Sequence, residues 1–286
     1  MKKCMIAIGA AALCGAVSCE AVESQIVGYQ GKDIGKFSPT AASFIKVDGG
    51  EEMTLADYQT NCNEEDESPV GWVYLDDALN TYKADGSFDK SYIYVPQWWA
   101  DIMTDELKHE VTKGWYDATD SNYNTNLSSK KIPFGEGAIA KATGVGATIT
   151  FSGAVKEAPT VTDIGVFTIA GNSAPKGIKI GQLIVNCDED DETGSGWIYL
   201  DDAINTYTAE GGFDKSYIYV PQWWADIMTD ELKRPVTKGW YDATDTNYEV
   251  NVSESKGFEA GEGFVAKATA SGATITVKSA LAEESK

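Results

Sequence analysis

The chain has 286 residues, and 44 acidic side chains against 23 basic ones leave a formal net charge of −21. A surface this acidic repels phosphate backbones, which argues against a nucleic-acid partner, and it can attract divalent cations. Hydrophobic residues at 43% suffice for a packed core, and aromatics at 11% suit a β protein.

The first element in chain order is a leader. MKKCMIAIGAAALCGAVSCEAVES combines a basic start, an apolar Ala-rich run and a small-residue end, so residues 1–21 read as a secretory signal peptide. Cleavage between Ser18 and Cys19, or after Ala21, gives a secreted or periplasmic protein. AVSC also matches a lipoprotein box that would anchor Cys19, although Ala16 stands where such boxes usually carry Leu. No other apolar run is long enough for a membrane helix.

The rest of the chain is written twice. FDKSYIYVPQWWADIMTDELK at 88–108 returns unchanged at 213–233, and VTKGWYDATD at 111 returns at 236. All eight tryptophans pair off between copies: Trp72 with Trp197, Trp98 with Trp223, Trp99 with Trp224, and Trp115 with Trp240. A repeat this long means tandem domains. The expected organisation is a first domain over 22–155, a linker over 156–162, a second domain over 163–281 and a tail over 282–286. DIGKF at 33 answers DIGVF at 163, but the opening QIVGYQ run has no clear counterpart in copy two.

Within the first copy, SQIVGYQ, AASFIKV, GWVYL, SYIYV, KGWYDA, GAIAKA and ATITFSGAV follow one another as short β-forming runs separated by Gly- and Asp-rich turns. MTLADY reads as a single helical turn. After Pro96, the spacing of Trp98, Trp99, Ile102, Met103 and Leu107 predicts a short helix over 97–108, with its twin over 222–233. The fold class is therefore mainly β: two tandem β-sandwich or small-barrel domains, each with one or two short helices.

The leader ending in VES, the IVGY strand, GWYD, GEG and the closing ATITFSGAV together resemble a diffuse group of exported bacterial proteins that carry one or two such domains after a signal peptide. The resemblance implies export and a β fold, and no activity. Copy two departs from it by lacking the IVGY strand, so whether it completes its own sheet or borrows from 148–155 stays open.

Several residue sets could carry function. Tyr92, Tyr94, Gln97, Trp98 and Trp99, with Tyr217, Tyr219, Gln222, Trp223 and Trp224 in copy two, could form sugar-stacking faces, or supply bulk to the core. The acidic runs EEDE at 64–67 and DEDDE at 188–192 offer Glu64, Asp66, Asp188 and Asp190 as weak Ca²⁺ ligands, or form solvated loops; no other cofactor is expected. Cys62 and Cys187 stand at equivalent places and could pair with each other, pair between chains, or stay free. The single histidine, His109, is replaced by Arg234 in copy two, which excludes a histidine base shared by both copies. Recurrent carboxylates such as Asp76 and Asp77 could serve a glycan-active enzyme, but in so acidic a chain they read first as turn residues. The expected role is an exported structural or interaction protein that binds itself, envelope or glycan material. A bivalent carbohydrate-binding module is the alternative.

Overall fold

The computed structural model describes residues 27–47, 50 and 52–279; the leader, Cys19 and the tail lie outside the described residues. The first half contains β1 (Val27–Asp33), β2 (Ser38–Ala41), β3 (Glu52–Thr54), β4 (Gln59–Thr60), β5 (Ala78–Tyr82), β6 (Phe88–Val95), α1 (Gln97–Leu107), β7 (Gly114–Asp117), β8 (Lys131–Pro133), β9 (Gly137–Lys141) and β10 (Thr148–Ala154). The second half repeats them as β11 (Thr160–Ile164), β12 (Thr168–Gly171), β13 (Ile178–Lys179), β14 (Leu183–Val185), β15 (Ala203–Tyr207), β16 (Phe213–Val220), α2 (Gln222–Leu232), β17 (Gly239–Asp242), β18 (Gly257–Phe258), β19 (Gly263–Lys267) and β20 (Ala273–Val277). MTLADY does contain a helical turn, the 3₁₀ segment Leu55–Asp57, and Ile180–Gln182 is its twin.

Each half builds the same antiparallel sheets: a five-stranded one in the order β2-β9-β5-β6-β7, a three-stranded one in the order β1-β10-β4, and a β3-β8 pair, mirrored in the second half. The sheets are open rather than closed into a barrel, so the sandwich expectation is the one met. Between them lies a core built around two fully buried indoles per half, Trp72 meeting Trp115 edge-on at 5.8 Å and Trp197 meeting Trp240 at 5.9 Å. The other face of each five-stranded sheet is covered by the helix, which buries Ala100 and Met103 over Ile93, Val95 and Tyr116. Both faces of β6 are therefore packed: Tyr92 lies in the core at 1% exposure, and Ile93 and Val95 lie under α1. Of the two roles open to Tyr92, sugar stacking and core bulk, the structure gives it the second, because helix and core take one face of β6 each.

The linker expectation needs correction. Residues 160–164 are strand β11, which pairs with β20 as β1 pairs with β10. Copy two thus supplies its own opening strand, with an unrelated sequence, and borrows nothing from 148–155.

The two halves meet across a pseudo-twofold. β2 lies against β12, and Gly171 approaches Ala41 so closely that an added methyl group would sit 2.8 Å from the Ala41 Cβ. Thr40 bridges to Glu262, and Ala170 bridges to Glu136 at the related position. The DIGxF phenylalanines clamp the seam: Phe37 packs on Tyr207 at 4.7 Å and Phe167 on Tyr82 at 5.1 Å. No helix among the described residues is long and apolar enough to cross a membrane.

Candidate functional site: a duplicated aromatic face

Pro96 and Pro221 occupy the N-cap positions of α1 and α2 with extended backbone and no side-chain cap of their own. The first free N–H groups of a helix need acceptors, and here they come from a distant loop. The Glu64 carboxylate accepts the Gln97 N–H at 2.8 Å and the Tyr94 hydroxyl at 2.7 Å, while its carbonyl accepts the Trp98 N–H at 3.2 Å. Lys113 Nζ stands 3.8 Å away. Glu189 repeats each contact with Gln222, Tyr219, Trp223 and Lys238. Burial and the neighbouring carboxylate hold both tyrosine hydroxyls well above the usual phenol range.

The acidic loop is thus a cap. Of the proposed Ca²⁺ ligands, Glu64 is committed to α1, Asp66 accepts from the Asn63 amide, and Asp188 accepts the backbone N–H groups of Asp190 and Asp191. No group of three or more acidic, Cys or His side chains suited to a metal occurs among the described residues. Cys62 and Cys187 are free, and each packs against the core of its own half, so the proposed bridge between them is not formed. Burial, then the facing carboxylates, pushes both thiols up to about 12.

A second anchor shapes the same face. Asp77, fully buried, accepts the N–H of Val73 at 2.7 Å, the N–H of Thr143 at 2.6 Å and the Thr143 hydroxyl at 2.9 Å. Asp202 does the same with Ile198 and Thr269. The carboxylates read as turn residues are turn staples. Each pinned turn holds a leucine in the left-handed region, Leu75 at φ 69° and Leu200 at φ 67°, and both are more than half exposed. A bulky side chain with positive φ is uncommon, and an exposed one has no packing reason to be there.

The tyrosine before each leucine packs on the indoles. Tyr74 meets Trp98 edge-on at 5.9 Å and Trp99 at 5.0 Å, and Trp98 meets Trp99 at 5.5 Å with planes 77° apart. The Trp99 Nε1–H donates to the Tyr123 hydroxyl at 3.1 Å, which also bonds Tyr74. Trp98 and Trp99 are half-buried, and Ile102, one turn beyond Trp98, is exposed. Copy two reproduces the set with Tyr199, Trp223, Trp224 and Ile227. Of the ten residues expected to bind ligand, Tyr92 and Tyr217 are core, Tyr94 and Tyr219 are tied to the caps, and Gln97 and Gln222 bond Asp101 and Asp226. The four tryptophans are each partly exposed on the helices. Leu75 and Leu200 were missed, since a leucine inside GWVYLDD carries no signal of positive φ.

His109 and Arg234 share one structural task, each donating to the carbonyl of Asn122 or Asn247. Asn126, in a glycosylation-type triplet, spends its amide on Thr112 Oγ1 and the Lys113 carbonyl, packed against Gly114 at φ 141°, where a side chain would collide with Ser128 and Asn126. Comparisons with protein-family models, with curated proteins and with solved structures found no match for this chain.

Proposed function

We propose that the chain is an exported, non-catalytic interaction protein that presents one apolar-aromatic face twice. The observation that carries this reading is Leu75 with its twin Leu200: solvent-facing leucines in left-handed backbone, each in a turn pinned by a buried aspartate, while Ile102 and Ile227 are exposed on the helices that carry the partly buried indoles. Strained backbone that persists in an exposed apolar position points to use, and exposed apolar patches mark interaction surfaces. Two copies on one chain give avidity. The leader supports export.

The test compares the wild-type protein with variants carrying Leu75→Ser and Ile102→Ser, their copy-two equivalents, or all four. Sedimentation velocity reads self-association, and co-sedimentation with envelope fractions of the producing cells reads attachment. Wild type is expected to show one of the two, each two-site variant a large loss, and the four-site variant none at unchanged Tm. A wild-type protein that neither self-associates nor attaches sinks the reading.

A bivalent carbohydrate-binding module is the second reading, favoured by the partial exposure of Trp98 and Trp223. The edge-to-face packing of each indole pair gives no flat platform, which is why it stands second.

A further inference from the structure

The duplication is not symmetric at the seam between the halves. Two clefts flank the meeting of β2 and β12. One, lined by Gln30, Lys32, Phe37, Tyr207, Glu259 and Glu262 among others, has a volume of about 560 Å³, and its twin beside Tyr82, Glu136 and Phe167 has about 290 Å³. The strand register explains the difference. Gln30 and Lys32 of β1 occupy the places of Thr160 and Thr162 of β11. Both threonines are buried, and Thr162 lies against Gly135 of the other half, so that cleft is partly filled. In the first cleft Gln30 and Lys32 are half-buried and face open space.

Lys32 is an uneconomical residue to keep there. Its ammonium has three donors, and the Pro39 carbonyl at 2.7 Å takes one. Burial lowers its pKa to about 8, against the opposing pull of Glu262. A threonine, as in copy two, would avoid that cost. The groups around it narrow the choice of ligand. Asp33, Glu259 and Glu262 outnumber the Lys32 ammonium and disfavour an anion, and no group of three or more side chains suited to a metal ion occurs among the described residues. Glu262 already accepts the Glu259 N–H at 2.8 Å; hydroxyl groups both donate and accept, so a neutral polyol can donate to its carboxylate and accept from Gln30 and the Lys32 ammonium. The Phe37 and Tyr207 rings, packed on one another at 4.7 Å, both line the cleft and offer apolar contact to the CH groups of a sugar ring. The volume is that of ordinary small-ligand sites, which favour domain seams.

We propose that the larger inter-half cleft binds a neutral saccharide unit, with Lys32, Gln30 and Glu262 as its polar contacts and the Phe37–Tyr207 pair as its apolar contact. This site is separate from the duplicated face and present once per chain.

Saturation-transfer NMR with maltotriose, cellotriose and tri-N-acetylchitotriose as probes tests it on the full mature chain. At least one probe is expected to receive transfer from the wild-type protein. Its affinity is expected to fall at least tenfold in Lys32→Thr, which copies the residue of the twin position, and to be unchanged in Trp98→Ala/Trp223→Ala. Thermal melts establish that both variants are folded. The proposal is overturned if no probe binds, or if binding survives Lys32→Thr. Binding lost only in the tryptophan variant would also overturn it, and would assign saccharide recognition to the duplicated face instead.

Discussion

The ring of Phe37 lies 4.7 Å from that of Tyr207, and Phe167 makes the reciprocal contact with Tyr82 at 5.1 Å, so each half inserts one phenylalanine against the β5-β6 or β15-β16 hairpin of the other. Such pairs contribute about 0.5–1.5 kcal/mol each beyond area burial. Replacing both phenylalanines by alanine should uncouple the halves: the urea transition of the wild type is expected to broaden or split into two. A single sharp transition at an unchanged midpoint would show that the clamp is idle.

Glu64 caps a helix from outside that helix. Glu64→Ala removes acceptors from the Gln97 N–H and the Tyr94 hydroxyl, and loss of a cap plus a charged hydrogen bond costs about 1–3 kcal/mol. Glu65→Ala, whose carboxylate is exposed in the same loop, should cost close to nothing. Equal losses in urea titrations of the two variants would return Glu64 to the ranks of surface charge.

Asp77 and Asp76 are neighbours with opposite fates. Asp77→Ala leaves three donors of Val73 and Thr143 without their acceptor in a buried setting, a loss of about 3 kcal/mol. The exposed Asp76→Ala should stay within about 0.5 kcal/mol of wild type. The intrinsic fluorescence of Trp98 and Trp99 in Asp77→Ala should also shift to the red as the Leu75 turn loosens.

Acid sensitivity follows from Asp117 and Asp242. Hydrogen bonds from Lys90 and Thr119, and from Lys215 and Thr244, lower their pKa values to about 2. Folded values below the unfolded one of about 3.9 mean that these groups stabilise the fold above about pH 4, and that this stabilisation drains away as pH falls to 2. The lysine of each pair is exposed, so screening keeps the effect small. Denaturation midpoints for Asp117→Asn/Asp242→Asn should fall less steeply between pH 4 and pH 2 than those of wild type.

Thiol chemistry gives a rapid check. With both thiols pushed up to about 12 by burial and by neighbouring carboxylates, Cys62 and Cys187 should react slowly with iodoacetamide at pH 8, and a chain lacking residues 1–21 should migrate alike on reducing and non-reducing gels. Fast alkylation of the native protein would contradict the burial that sets these values.

Much of the fold was legible because its signals are local. Pro96 and the spacing of Trp98, Ile102 and Met103 placed α1 within a residue of where it ends, and the paired tryptophans exposed the repeat. What was illegible depends on partners far along the chain. TVT at 160–162 looks like linker after Pro159 until β20 pairs with it. Glu64 looks like one carboxylate among many until β6 delivers Gln97 and Tyr94 to it. The role of Tyr92 stayed open between ligand face and core for the same reason, because a strand does not announce that a helix will cover its second face. Leu75 belongs to a third kind: its conformation is set by Asp77 through a hydrogen bond that composition does not encode.

The close approach of β2 and β12 carries one more consequence. Related residues of the two halves make reciprocal contacts, which is the isologous geometry of a C₂ homodimer, here written into a single polypeptide. Each half shields the outermost strand of its sister's main sheet, where Thr40 and Ala41 are fully buried. A half expressed alone would present that strand naked to any passing chain, so fusion of two protomers into one gene product replaces a concentration-dependent assembly with a permanently sealed one.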